Sequence, residues 1–174
     1  MGASRHASAA APAPGAGLYT PEQRRRRDAT RWTLIQGLLA PVQFVAFAVS
    51  VTLIVRTLAT GDGATAAAVS VVVKTGCLLA IMVTGAIWEK VVFGQYLFAP
   101  AFYWEDVFSM LVIALHVAYV VALLADIGDT SSQLTLALCG YAAYVVNATQ
   151  FVLKLRAARI QERMQLATDV RGMA

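Results

Sequence analysis

Charge is scarce in this sequence: Asp, Glu, Lys and Arg make up 14% of its 174 residues, against about 25% in an average soluble domain. Cysteine is scarcer still. Cys77 and Cys139 are the two present, far apart and each inside an apolar run. They offer neither a disulfide framework nor a zinc-ligand pattern, and read as small buried hydrophobes. No RNA-binding or helix-turn-helix signature accompanies the net charge of +4. The basic residues cluster beside apolar runs, where they set membrane orientation, so nucleic acid is not an expected partner. No internal repeat is evident. Residues 1–17 are mostly Ala, Gly, Pro and Ser; they lack the apolar core of a signal peptide and read as a disordered tail.

What the chain has in excess is apolar residues, 59% of the total, and they are gathered in blocks. Four runs reach a span's length: Trp32–Leu58, Ala64–Trp88, Val107–Ala125 and Leu134–Leu153. A helix needs about 20 apolar residues to cross a bilayer. The expectation is an all-α membrane protein of four transmembrane helices, with one domain over residues 18–157 and a polar C-terminal tail over 158–174. Pro41 should kink or break the first span. Thr20-Pro21-Glu22-Gln23 has the form of a helix start, with Thr20 as N-cap, Pro21 at the first helical position and Gln23 completing a capping box. It opens a short basic helix carrying Arg24 to Arg27.

Charge sets the orientation. Lys and Arg flank Trp32, Trp88 and Leu153, whereas the turns on the other side carry Asp62, Asp126 and Asp129 with only Arg56 nearby. The positive-inside rule then places both termini and the Glu89–Asp106 segment in the cytoplasm.

The stretch from Ile87 to Asp106, IWEKVVFGQYLFAPAFYWED, is the most informative in the chain. It joins the second and third spans, yet it is itself aromatic and apolar, and Glu89, Lys90, Glu105 and Asp106 stand near its ends. Gly94 and Pro100 break helix within it, so a surface-lying or re-entrant segment is expected, its irregular backbone covered by protein or lining a cavity. Carboxyl groups beside apolar walls act as proton donors near neutral pH.

Polar residues also stand inside the spans. Lys74 shares a helical stripe with Leu78, Ile81, Gly85 and Glu89. It either holds an anionic group of a ligand, or snorkels or pairs with a neighbouring helix. His116 returns to the face of Glu105 about 16 Å further along a helix, with Ser109 and Val112 between them. It reads as an interhelical hydrogen-bonder or as an axial ligand to a metal in a macrocycle. Asn147 with Tyr144, and Gln36, Gln43 and Ser50 at seven-residue spacing, read as glue between helices.

From Leu18 to about Ala157 the sequence closely resembles the 3-vinyl (also written 2-vinyl) bacteriochlorophyllide hydratases of bacteriochlorophyll a biosynthesis. The residues that carry the resemblance are LYTPEQ with the basic run, WTLIQG (Trp32 to Gly37), VVVKT (Val71 to Thr75) and IMVTGAIWEKVVFGQYLFAPAF (Ile81 to Phe102). WEDVFSMLVIALH (Trp104 to His116) and YAAYVVNATQF (Tyr141 to Phe151) complete the set. The resemblance implies a hydro-lyase of the photosynthetic membrane that adds water to the 3-vinyl group of bacteriochlorophyllide a or chlorophyllide a, giving a 3-(1-hydroxyethyl) group. It implies no cofactor, because the magnesium belongs to the chlorin, and other enzymes of the same biosynthesis become candidate partners.

Given that substrate, Glu89 and Glu105 are the candidate acid and base, with Asp106 assisting. His116 is a candidate axial ligand to the chlorin magnesium. Lys74 or the basic rim that includes Lys90 would meet the propionate. Tyr96, Tyr103 and Trp104 would line the ring slot or bond water, and Asn147 joins the substrate-contacting set. Two other classes stay open on the residues alone. A non-catalytic pigment-binding or pigment-assembly protein would also use aromatics and a histidine, but has no need of three carboxyls. A small transporter would place an acid at mid-membrane, where this chain has Lys74.

Overall fold

The computed structural model describes residues 18–172; the tail expected over residues 1–17 lies outside them. The described residues form five helices: α1 (Pro21–Ala29), α2 (Arg31–Thr60), α3 (Ala64–Phe93), α4 (Tyr103–Leu124) and α5 (Thr130–Gly172). Four of them, α2 to α5, are long and apolar enough to cross a membrane.

α1 begins as its sequence indicates. The Gln23 N–H donates to Thr20 Oγ1 at 3.2 Å and the Thr20 N–H to Gln23 Oε1 at 2.9 Å, a complete capping box. The expected break at Pro41 does not occur, and α2 runs through it as one helix. The carbonyl that faces the proline ring belongs to Gly37, one turn earlier, whose backbone is free to tilt away.

The bundle is inverted relative to a soluble protein. Leu34, Leu38, Val45 and Val49 point outward, while Gln43, Ser50, Lys74, Glu89, Glu105, Asp106, Ser109, His116 and Asn147 are buried. Polar side chains fix the helix registers. Gln36 Nε2 donates to Thr84 Oγ1 at 2.6 Å, Ser50 and Ser70 hydroxyls meet at 2.7 Å, and Tyr141 OH donates to Ser50 at 2.6 Å. These bonds are made between apolar helices, where the alternative is an unsatisfied buried group. α2 packs along α3 and α4 along α5, and the two hairpins meet more sparsely along a seam.

Two boundaries differ from the sequence expectation in ways that matter. α3 continues to Phe93 and α4 starts at Tyr103, so Glu89, Glu105 and Asp106 are helical, and only residues 94–102 form the irregular link. α5 likewise runs far beyond its apolar run, carrying much of the polar tail as helix.

Candidate active site

The hairpin α3–link–α4 closes on its own acids. α3 ends at Gly94, whose φ of 89° returns its N–H to the Lys90 carbonyl at 3.0 Å. The link then folds back over the helix ends. Phe98 sits at φ 59°, a left-handed conformation that costs a non-glycine residue about 1–3 kcal/mol. Its N–H donates to Asp106 Oδ2 at 2.6 Å, and the next N–H, that of Ala99, donates to Glu89 Oε2 at 3.3 Å. The link is therefore shaped around two carboxyl groups.

Those two carboxyl groups also face each other within hydrogen-bonding reach. A hydrogen bond between two carboxyl groups requires that one of them carry a proton, which is the arrangement that sets two neighbouring acids apart in acidity. Glu105 is held differently. Its Oε2 is 2.6 Å from Lys154 Nζ, which reaches across from α5. Glu105 and Asp106 both occupy the first turn of α4, where free N–H groups and the helix dipole favour negative charge. Glu89, Glu105 and Asp106 are 5%, 7% and 3% exposed, so the three acids face the protein interior.

An aromatic wall stands beside them. Phe102 is buried, stacks on Phe151 with ring centroids 5.8 Å apart, and meets Trp88 and Phe93 edge-on at 5.8 Å each. The Lys154 ammonium lies 5.2 Å from the Phe102 ring centroid. Tyr19 stacks on Phe93 at 5.9 Å and is covered by the Arg27 guanidinium at 4.7 Å. Burial pushes the Tyr19 hydroxyl up to about 12. Arg27 in turn bonds Glu162 of α5 at 2.9 Å, so α1 and α5 together cover this end of the bundle.

One turn inward, Asn147 Nδ2 donates to Ser109 Oγ at 2.8 Å. Below that, an apolar layer of Leu78, Val112 and Tyr144 separates the acids from a second polar level. There, Lys74 is fully buried with its ammonium 3.8 Å from the Tyr144 ring centroid. The His116 ring lies 5.5 Å from Tyr141, with Nδ1 2.7 Å from the Val112 carbonyl. Gly140 lets that ring approach: a Cβ there would lie 3.1 Å from His116 Nδ1.

The structure thus brings Glu89, Glu105 and Asp106 together and sets Asn147 one turn away. It does not join Lys74 or His116 to them. Tyr96, Tyr103 and Trp104, expected to line the slot, are 60%, 47% and 67% exposed; the helical phase of α4 turns Tyr103 and Trp104 outward while Glu105 and Asp106 turn in. Lys90 bonds the Gly94 carbonyl at 2.8 Å and lies over Tyr96. The sequence reading missed Lys154, Tyr19, Trp88 and Phe151 as neighbours of the site. For Lys154 a signal existed: it follows Asn147 by two helical turns and so shares its face.

The sequence profile of the 2-vinyl bacteriochlorophyllide hydratase (BCHF) family matches residues 19–157. The chain is 63% identical over 144 residues to the 2-vinyl bacteriochlorophyllide hydratase of Rhodobacter capsulatus, which is 83% of this chain and 84% of that one. It is 62% identical over 148 residues to the protein of the same description from Cereibacter sphaeroides, 85% of this chain and 92% of that one. No solved structure matches the chain.

Proposed function

The chain belongs to the 2-vinyl bacteriochlorophyllide hydratase family, and from that membership we infer how its buried acids carry out the reaction. The reaction is hydration of the vinyl group of a bacteriochlorophyllide in bacteriochlorophyll biosynthesis, catalysed by a hydro-lyase. The observation that carries the mechanism is the placement of the buried Glu89 and Asp106 carboxyls against each other, each also held by an N–H of the link.

The helix ends bias which of the two carries the proton. Asp106 lies in the first turn of α4, where the dipole favours an anion; Glu89 lies near the C-terminal end of α3, where it does not. Glu89 is therefore the acid. It gives its proton to the terminal vinyl carbon, and the π electron pair becomes the new C–H bond. The cation left on the inner carbon is delocalised into the macrocycle. Water supplies the electron pair of the new C–O bond there, and its surplus proton goes to the Asp106 carboxylate. That proton returns to Glu89 across their hydrogen bond, resetting the pair. The Glu105–Lys154 ion pair keeps a fixed negative charge beside the developing cation.

The orientation that fits the charge pattern puts both chain ends and the 94–102 link on the cytoplasmic side of the intracytoplasmic photosynthetic membrane. The link then lies at the membrane surface, where an amphipathic chlorin, bacteriochlorophyllide a or chlorophyllide a, partitions. Exposed Tyr96, Tyr103 and Trp104, with Lys90, form the rim that first meets the ring and its propionate. An apolar groove of about 250 Å³ lies between α2 and α5, lined by Phe44, Ala148, Val152 and Leu153 among others. Small-molecule sites usually enclose roughly 300–1,000 Å³, so the sparsely packed seam between the hairpins parts to admit the ring. His116 stands about 16 Å from Glu105 along α4, and a chlorin centred on it would hold its vinyl group short of the acids. Its place, with Lys74, is in the bundle interior.

Isotopic water tests the addition. Turnover in oxygen-18 water must label the new hydroxyl, and turnover in deuterium oxide must place one deuterium on the new methyl carbon. A hydroxyl without the oxygen-18 label, or a methyl group without solvent deuterium, would sink the addition of a proton and water.

A further inference from the structure

We propose that Asn147 seats the water molecule that attacks the substrate cation. Asn147 is 8% exposed, and its two amide atoms are used unequally. Nδ2 donates to Ser109 Oγ at 2.8 Å, while Oδ1 is buried and has no hydrogen-bond partner among the described residues. Ser109 follows Asp106 by three residues on the buried face of α4, a rise of about 4.5 Å. The bond from Asn147 to Ser109 thus pins a lone acceptor one helical turn inward from the Glu89–Asp106 pair.

A buried carbonyl oxygen without a partner is costly, and its natural complement is a small donor. The substrate ring has no O–H or N–H to give at its vinyl group, and water does. A water donating one O–H to Asn147 Oδ1 and the other to the Asp106 carboxylate is fixed by both hydrogens. Its lone pairs are then free to meet the inner vinyl carbon. On attack its surplus proton already points at Asp106. Both contacts strengthen as positive charge builds on the water oxygen, which is where stabilisation accelerates a step.

The inference rests on the proton-first reading, and the two can be separated by experiment. Protonation of the vinyl group is reversible when capture by water is slow. The cation's new methyl group rotates and loses one of its three hydrogens, so substrate recovered from deuterium oxide carries deuterium on the terminal vinyl carbon. The test compares wild type, Asn147→Leu and Glu89→Gln in deuterium oxide with purified, detergent-solubilised full-length protein and the vinyl chlorin. Mass spectrometry follows vinyl exchange and hydration together. Asn147→Leu should lose about 10²-fold in hydration, the scale of a misplaced reactant, while exchange falls by no more than a few-fold. Ser109→Ala, which removes the tether and leaves Asn147 in place, should shift the ratio of exchange to hydration in the same direction. It also serves if the leucine variant does not insert. A parallel fall in exchange and hydration in both variants overturns the assignment and leaves Asn147 as helix glue. Full exchange and hydration in Glu89→Gln would instead overturn the acid assignment, whatever Asn147 does.

Discussion

Glu89, near the end of α3, and Asp106, in the first turn of α4, set their carboxyl groups within hydrogen-bonding reach of each other while each also accepts a backbone N–H from the link that joins their helices. On sequence alone Glu89 and Glu105 are the candidate acid and base with Asp106 assisting; in the fold Asp106 is the acid set against Glu89. Glu89→Gln keeps the size and one hydrogen bond of the acid but has no proton to transfer. Its kcat should fall by roughly 10²–10⁴-fold, the usual contribution of a positioned acid, with KM changed only a few-fold. Steady-state hydration assays on the purified protein decide this. A drop in Glu105→Gln with Glu89→Gln near wild type would reverse the assignment.

Lys154 and Glu105 should behave as a unit. Breaking a fully buried ion pair costs about 3–5 kcal/mol, but the Lys154 side chain is 28% exposed, and screening lowers the expected loss for Lys154→Met to about 1–3 kcal/mol. Lys154→Arg should recover most of it. The double variant Lys154→Met with Glu105→Gln should unfold at a higher temperature than Lys154→Met alone, because no unpaired buried carboxylate remains. Additive losses in that cycle would mean that the 2.6 Å contact contributes nothing to stability.

Lys74 gives the opposite expectation. Its ammonium is buried with no hydrogen-bond partner among the described residues and rests on the Tyr144 ring. Replacing a buried, poorly compensated charge by an apolar chain of similar volume is often neutral or stabilising, by about 1–4 kcal/mol. Lys74→Met should therefore raise the melting temperature and keep hydratase activity within a few-fold. The rival role, gripping the chlorin propionate, makes a separate prediction. Wild type would then bind the free acid more tightly than its methyl ester, and Lys74→Met would lose that preference. A selective loss of that kind would restore Lys74 to the substrate site.

Much of the helical plan was legible because it depends on local chemistry. The Thr20–Gln23 box and the apolar blocks need only neighbours in sequence, and α1 to α5 follow them. That Glu89, Glu105 and Asp106 stand beside apolar walls was legible as well, since they bound an aromatic and apolar stretch; their burial is a finding of the fold. Their pairing was not legible, because it depends on the phase between α3 and α4 and on a strained Phe98 that no propensity would choose. Lys154 was hidden by a plausible alternative, the row of basic residues that orients the last span. Aromatic density was legible, but not which rings stand beside the acids. Trp104 and Tyr103 look outward, and Phe102, at the joint between link and helix, is the ring beside the acids.

α1 is held over the site by two contacts of different kinds, and their strengths can be ranked. Arg24 and Arg27 reach Glu162 at 3.5 and 2.9 Å, with side chains 21–32% exposed. Such partly exposed ion pairs contribute about 0–1 kcal/mol. Tyr19 is 5% exposed and is stacked on Phe93 and tilted against Phe102. Removing a buried aromatic ring costs about 3–5 kcal/mol. The ring should therefore dominate. Trypsin reports the difference, because its sites at Arg24 to Arg27 lie on α1 itself. Tyr19→Ala should raise the cleavage rate there well above ten-fold, since a loss of about 1.4 kcal/mol in docking already gives a factor of ten in the open population. Glu162→Gln should raise it only a few-fold, and Tyr19→Phe should leave it near wild type, because the hydroxyl is not what docks the ring. Equal cleavage of Tyr19→Ala and wild type would show that α1 is held by its charges after all, and that the aromatic wall beside Glu105 stands without it.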